Sequence, residues 1–367
     1  MLNRNKLLEQ LELVAAQIFI ENDKDLTNLH ILWQRVITDS LLAQKCQSAR
    51  VSWSLPSWND SIYQTTIISA PRCYDLIAVD GSQIYPDRHS GAPCYLLNIG
   101  KIIFQYGKPK PVILQSQPYV FDGINSDIEL SQDAINAQRQ GLELYSGFDT
   151  ANKMELNPNH LVLFDGSLIF WHLDKDIVLK EQFLPNYVGS LMSFYQKRIL
   201  CASYISAPKG KELINIIRAY QCDFDESQRD IPNEVVSYID AELMSLYLKK
   251  GERTNVFKNN AKISESYPSN LHPHFFYINN GIEIGRVEIP QWIAANTNLV
   301  DWVAAAIFDQ SNKGFGYPIA LAEAHEQAVI KGADRDFFYH LLQKMSISHQ
   351  RRMQSSLKLT RKRGIGI

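Results

Sequence analysis

Two short segments hold the residues best suited to chemistry: IAVDGSQIY at 77–85 and VLFDGSLIF at 162–170. In each, three apolar residues lead into Asp-Gly-Ser and apolar character then resumes, the pattern of a buried strand that delivers an aspartate at its end. Glycine beside the aspartate lets the backbone turn or admits a close neighbour. Asp-Gly is also a common tight-turn dipeptide, so one such segment alone would be read as a turn. Two of them in matched apolar settings, 85 residues apart, point to function. Buried strands that set Asp80 and Asp165 side by side would cost several kcal/mol of lost solvation per unpaired charge. A divalent cation between them removes that cost, and aspartate oxygens suit magnesium or manganese.

A third segment, GYPIALAEAHEQAVI at 316–330, reads as a helix with Pro318 as its first residue and Tyr317 at the cap. His325 falls on the apolar face with Leu321 and Ala322. It is then either a satisfied core histidine or an imidazole that completes a metal site. Tyr317 is eight residues earlier, about 12 Å along a helix axis, and is expected to contact substrate rather than the same ion.

The elements that must position these residues are legible in outline. Residues 3–48 read as a helical arm: Leu7, Leu8, Leu11, Val14 and Ala15 recur at helical spacing, and no proline or glycine occurs before Cys46. Such an arm covers one end of the core or holds a partner chain. A polar stretch over 52–66, containing Pro56, marks a boundary. DLIAVDGSQIY, CYLLNIGKIIF and PVILQSQPYVF then read as strands parted by Pro86, Gly91, Gly107 and Pro109. A helix is predicted over 132–145, opened by Ser131, and HLVLFDGSLIFW is a further strand. Beyond it the pattern gives helix over 183–201, extended ISAP, an amphipathic helix over 211–220, strands at 274–277 and 282–289, and helices at 298–308 and 318–330. This is an α/β chain with a mixed sheet flanked by helices. It divides into an arm and linker (1–66), a central domain (67–336) and a basic tail (337–367).

Composition narrows the class. With 45% hydrophobic residues and net charge -2, the 367-residue chain is neither disordered nor uniformly basic. Five widely spaced cysteines without a C-x-x-C pair suggest neither a disulfide framework nor a thiolate zinc site, and fit a reducing cytoplasm. The amino terminus carries charges within its apolar pattern, unlike a secretory leader. No apolar run approaches a membrane span, the nearest being Leu299–Phe308, which holds Asp301. No P-loop, G-x-G-x-x-G or D-x-D-x-T is present, so energy for any translocation must come from a partner.

Together, the two apolar-DGS strands, RVEIP at 286–290 and the Y-P-x6-H helix resemble the NurA nuclease family, over roughly Tyr74 to Asp336. The resemblance implies an RNase H-like core. It also implies manganese-dependent (or magnesium-dependent) nuclease action on DNA, with 5′ to 3′ exonuclease and single-strand endonuclease activity. The implied setting is DNA end processing and repair as a toroidal homodimer beside a HerA-type hexameric ATPase. By motif, Asp80 and Asp165 would be metal-binding carboxylates, His325 a further ligand and Tyr317 the active-site tyrosine. The family glutamate between the DGS strands is placed at Glu143 in AQRQGLELYSG, one helical turn after Arg139, with Glu129, Asp133 and Asp149 open as alternatives. Two ions about 3.5–4 Å apart would activate a water and stabilise the leaving 3′ oxygen. Two rival readings are a non-catalytic adaptor docking on a translocase, which has no physical reason to keep the acidic-plus-histidine set, and an RNase H-like nuclease acting on RNA or branched DNA.

From Phe337 onward there are seven Lys+Arg and no acidic residue, which leaves 30 basic against 39 acidic in the first 336 residues, a net of -9. Arg351 and Arg352 in this tail, with Lys209 and Lys211 in SAPKGKEL at a strand-to-helix junction, are candidate DNA contacts. If the tail binds phosphate, deleting residues 350–367 flattens the slope of log affinity against log salt in a fluorescence-anisotropy titration with DNA. An unchanged slope takes the tail out of the interface.

Overall fold

The apolar triplets at 77–79 and 162–164 are buried on both faces of their strands, which demands helices on both sides of the sheet. The computed structural model describes residues 2–18, 26–59, 61–62, 66–69, 71–86, 94–123, 131–174, 176–227 and 233–348. Its strands are β1 Thr66–Ile67, β2 Tyr74–Ile84, β3 Cys94–Tyr106, β4 Ile113–Asp122, β5 His160–Asp165, β6 Cys201–Ile205, β7 Glu252–Arg253, β8 Phe257–Lys258, β9 Pro273–Asn279 and β10 Ile284–Pro290. Its helices are α1 Arg4–Ile18, α2 Thr27–Ile37, α3 Leu42–Gln47, α4 Gln132–Asn152, α5 Ile177–Lys197, α6 Glu212–Gln221, α7 Asn233–Ser237, α8 Asp240–Ser245, α9 Gln291–Ala294, α10 Thr297–Lys313, α11 Ile319–Ala328 and α12 Gly332–Ser348.

Among the described residues the strands form a single mixed sheet in the order β1-β7-β9-β10-β6-β5-β2-β3-β4, with β8 paired to β9. An antiparallel meander β2–β3–β4 is followed by β5 parallel to β2 and β6 parallel to β5. That is the RNase H-like core. Both parallel steps need a crossover, and α4 and α5 supply them on one face. There Ile77, Val79, Val162 and Phe164 meet Leu144, Leu191 and Phe194. On the other face Leu76, Ala78, Leu161 and Leu163 meet Val303 and Ile307 of α10 and Leu321 and Ala324 of α11.

The described part of the amino-terminal region is helical, with α2 and α3 parted by a turn at 38–41. Leu29, Trp33 and Val36 of α2 and Leu42 of α3 are buried with Leu213 and Ile217 of α6, so these turns cover one end of the core. Helix α1 instead leaves Leu7, Leu8, Leu11 and Leu13 exposed. The stretch after α3 packs too: Trp53 Nε1 donates to Asn215 O at 3.3 Å and Asn215 Nδ2 to Ser54 O at 3.0 Å. At the other end, α12 occupies the start of the basic tail, and its Phe338 and Tyr339 pack on Ile84. Ser131 opens α4 as its cap, accepting the Ala134 amide at 3.1 Å, and the helix runs about two turns past the predicted end, to Asn152. The five cysteines are free, and no described helix is long and apolar enough to cross a membrane.

Helix α11 lies close over β2 and β3. Gly100 of β3 is directly opposite Asp80, and a Cβ there would run into the backbone of Ala324 and Ala328. Gly100→Ala therefore lowers stability by about 1–3 kcal/mol, since a backbone collision cannot be relieved by a side-chain rotation. Gly141→Ala, in α4 with open space around it, raises stability by about 0.5–1 kcal/mol through helix propensity. Thermal melting of the two variants checks the contrast.

A second test concerns His274 of β9, which is 8% exposed and whose imidazole burial holds down to a pKa of about 4. The unfolded chain takes up this proton near pH 6.5 and the folded chain only near pH 4, so protonation favours unfolding as pH falls through that window. The loss amounts to roughly 3 kcal/mol at most. Urea titrations between pH 7 and 4 should show a shallower acid limb for His274→Gln than for wild type.

Candidate active site

Strands β2 and β5 pair in parallel with Val79 opposite Phe164, so the next residues, Asp80 and Asp165, emerge side by side on adjoining strands. Adjacent strands lie about 4.8 Å apart, which brings the two carboxylates within strong electrostatic reach. Only the second aspartate ends its strand. Asp165 closes β5, and Gly166 turns away with φ 83°. Asp80 instead sits mid-strand, because β2 continues through it to Ile84 against the long strand β3. Both side chains face α11, as do Ala78 and Leu163 two residues earlier.

From α11, His325 Nδ1 lies 2.8 Å from Asp80 Oδ2, with the imidazole largely open to solvent. The end of this helix is fixed by strand side chains. Asn98 Nδ2 donates to Ala328 O at 2.8 Å, and Ser82 Oγ, the serine of the first DGS, donates to the same carbonyl at 2.5 Å. Carbonyls of a last helical turn lack intrahelical donors, so these two side chains both satisfy and anchor it. At the other end Pro318, not Tyr317, takes the cap position. Tyr317 lies in the preceding turn, where its hydroxyl lies close enough to Asp165 to lower that carboxyl's proton affinity and its ring meets Tyr204 edge-on at 5.9 Å. Tyr317 is thus on the Asp165 side of the site and His325 on the Asp80 side.

Glu143 reaches the same place from the opposite face. It is buried in α4, and Arg139, one turn earlier, donates to its Oε1 at 2.5 Å and to Gly81 O at 2.9 Å. The glycine of the first DGS makes this approach feasible, since a Cβ at Gly81 would collide with Glu143 Oε1. Burial, the largest cause, pushes the Glu143 carboxyl up to about 7; Arg139 pulls it down, and the charges of Asp80 and Asp165 push it further up. Asp165 is raised for the same reasons, desolvation first and then Asp80, against the opposing pull of Tyr317, the Gly166 amide and His325. Burial and the Asp165 carboxylate likewise push the Tyr317 phenol well above its usual range.

Asp80, Glu143, Asp165, Tyr317 and His325 therefore form one group, assembled from residues up to 245 apart in sequence. Three carboxylates and an imidazole are hard and borderline donors of the kind that hold magnesium or manganese. The raised proton affinity of Glu143 and Asp165 is what a cation would relieve. Among the described residues no three such donors converge as a preformed cage, because Arg139 engages Glu143 and His325 engages Asp80.

The other candidates lie elsewhere. Asp133 is exposed in the first turn of α4, and Asp149 pairs with Lys153 at 2.7 Å. Lys209 is exposed in the β6–α6 connection, whereas Lys211 Nζ donates to Val236 O at 2.6 Å. Glu129, Arg351 and Arg352 lie outside the described residues. Sequence reasoning assigned no work to Ser82 or Ser167, nor to Glu288, whose Oε2 accepts Ser167 Oγ at 2.7 Å and the Leu168 amide at 2.9 Å. The signal was present in RVEIP, where two charged residues interrupt an apolar strand.

Residues 74–330 match the NurA domain. In structure the chain is similar to the NurA nuclease from Sulfolobus solfataricus, with a TM-score of 0.54 at 16% identity, covering 95% of this chain and 98% of that one. It is also similar to the catalytic domain of human Endonuclease V, with a TM-score of 0.34 at 11% identity over 86% and 98% of the two chains. For Endonuclease V from Bacillus subtilis the figures are 0.32 and 12%, over 84% and 92%. No curated protein matches the sequence. The domain match takes in both DGS strands, Glu143, the Arg-Val-Glu strand and the Tyr-to-His helix, well over half of the length, and the chain belongs to the NurA domain family.

Proposed function

We propose that the chain is a divalent-metal-dependent deoxyribonuclease that degrades DNA ends. The observation that carries the reading is the register of β2 and β5, which sets Asp80 and Asp165 side by side over the buried Glu143. A fold assembled for stability alone has no reason to gather three mutually repelling carboxylates. Asp80, Glu143, Asp165 and His325 would hold manganese or magnesium, two ions in the fullest form of the site. Such ions would stabilise charge developing on a phosphodiester and make bound water more acidic.

The protein's own contributions follow from the geometry. Tyr317, beside Asp165 and with its phenol pKa raised, stays protonated at neutral pH, and its single O–H can turn to a phosphate oxygen. The exposed His325 is free to leave Asp80 for a ligand without crossing the core. Arg139 neutralises Glu143 until a cation arrives, which keeps a buried carboxylate from being unpaired.

The finer parts of the reading are 5′ to 3′ exonuclease and single-strand endonuclease action in DNA repair, a homodimer and a cytoplasmic setting beside a HerA-type hexameric ATPase. The exposed apolar side chains of α1, with Leu114 and Val120 exposed on the edge strand β4, support the homodimer, and the free cysteines fit the cytoplasmic setting.

Asp80→Asn and Asp165→Asn should each lower manganese-dependent cleavage of end-labelled DNA by about a thousandfold or more, the size of several kcal/mol of lost charge stabilisation. Asp165→Asn should melt at or above the wild-type temperature. Its carboxyl pKa is raised in the fold, so its ionised form opposes folding at neutral pH. Wild-type cleavage by either variant would refute the assignment.

A further inference from the structure

The turn that carries Asp165 is held by a charged network that lies beyond the residues just assigned. Successive side chains of a strand alternate in direction, so Arg286 and Glu288 of β10 share a face. Both are almost fully buried, at 3% and 1% exposed. Arg286 Nε donates to Glu288 Oε1 at 2.9 Å, and its Nη1 donates to Glu212 Oε1 at 2.7 Å at the start of α6. The guanidinium lies 3.9 Å over the ring of Phe275. The rigid fork of arginine thus fixes Glu288 in one rotamer.

The other oxygen of Glu288 is spent entirely on the segment after Asp165. It accepts Ser167 Oγ at 2.7 Å and the Leu168 amide at 2.9 Å. Ser167 Oγ in turn accepts the Ile169 amide at 3.0 Å, and Leu168 O accepts the hydroxyls of Tyr187 at 3.0 Å and Tyr267 at 3.1 Å. On the near side, the Gly166 amide donates to Tyr204 O at 3.0 Å. Every polar group of this turn named here is held by β6, β10, α5 or the segment before β9. A buried ion pair contributes little net stability compared with apolar residues of the same volume. Its specificity lies in direction.

We propose that Glu288, oriented by Arg286, is a positioning residue that fixes the Asp165–Gly166–Ser167–Leu168 turn and so aims the Asp165 carboxylate at the site. The proposal rests on the nuclease reading above for its consequence in catalysis. Its structural half stands apart from that reading. Removing the Glu288 carboxylate leaves the buried Leu168 amide without an acceptor and frees the turn to rearrange.

The test uses Glu288→Gln and the milder Ser167→Ala, which removes one of the two bonds and leaves the buried pair in place. A glutamine offers one oxygen, which can serve the turn or Arg286 but not both. Hydrogen–deuterium exchange of the full chain should quicken in peptides over 164–170 and stay unchanged in peptides over 76–84 of β2. With manganese and DNA, Glu288→Gln should lower kcat by about 10–100-fold with KM unchanged, the range for residues that orient a ligand from behind. Ser167→Ala should move both readouts in the same direction by less. A purely structural role would lower the melting temperature while kcat per folded molecule and exchange at 164–170 stay at wild-type values, and that outcome overturns the proposal. Asp165→Asn separates the two readings. It should lose cleavage while exchange at 164–170 stays at the wild-type rate. If it cleaves DNA normally the nuclease assignment fails, and the exchange comparison still decides the positioning role.

Discussion

Repulsion among three carboxylates at one end of a sheet is the constraint from which the rest of this structure follows. Asp80 and Asp165 emerge from neighbouring parallel strands, and Glu143 comes up beneath them from the opposite face. Burial first, and then like charges so placed, make carboxyls hold protons more tightly, and both Glu143 and Asp165 show it. Each carboxylate is given one compensating partner: Arg139 for Glu143, Tyr317 for Asp165, His325 for Asp80. The cost of the cluster is borne by two large apolar interfaces, one on each side of the sheet.

Holding the carboxylates in place calls for close backbone approaches that side chains would prevent. Glycine at 81 lets Glu143 and Arg139 reach β2, and glycine at 100 lets α11 lie on β3. The first DGS therefore works as a unit: the aspartate offers its charge, the glycine clears space for the glutamate, and the serine ties down the end of the histidine's helix. The second works differently, because its strand ends there. Its glycine turns with positive φ and its serine is held from β10. Two identical tripeptides serve distinct purposes because one lies mid-strand and the other at a strand's end.

Much of this was legible beforehand, and the gaps have identifiable causes. Apolar triplets flanking each Asp-Gly-Ser showed that both aspartates sit on buried strands. Helical periodicity put His325 on the inward apolar face with Leu321 and Ala322, but α11 buries Ala320, Leu321, Ala324 and Ala328 and leaves Ala322 and His325 exposed, so the histidine meets Asp80 from the solvent side. The capping serine at 131 marked the start of α4 correctly. Its end lay beyond the prediction, because Gly141 and Gly147 break the periodic signal while the helix survives by packing on Phe164 and Val162. The division of the amino-terminal region into separate helices was not visible either. No proline or glycine interrupts it, and the division shows only where α2 and α3 settle on α6. Lys211 read as a free cation, yet its ammonium caps a carbonyl 25 residues away.

Local pattern alone determined which charged or titratable residues break into apolar segments: the two aspartates, the histidine and an alternating Arg-Val-Glu. Periodicity is a property of the chain, so it survives without the fold. Which of these charges meet is a matter of strand register and helix docking, and no local pattern encodes either. Only the tertiary structure decided that Glu143 lies against Gly81 while Asp133 faces solvent. It also decided that His325 touches Asp80 while Tyr317 lies beside Asp165, and that Glu288 holds up the site from behind. The physical reason is that each of these choices is made by a contact between segments dozens to hundreds of residues apart, stabilised by burial that belongs to the assembled sheet and to no single segment of it.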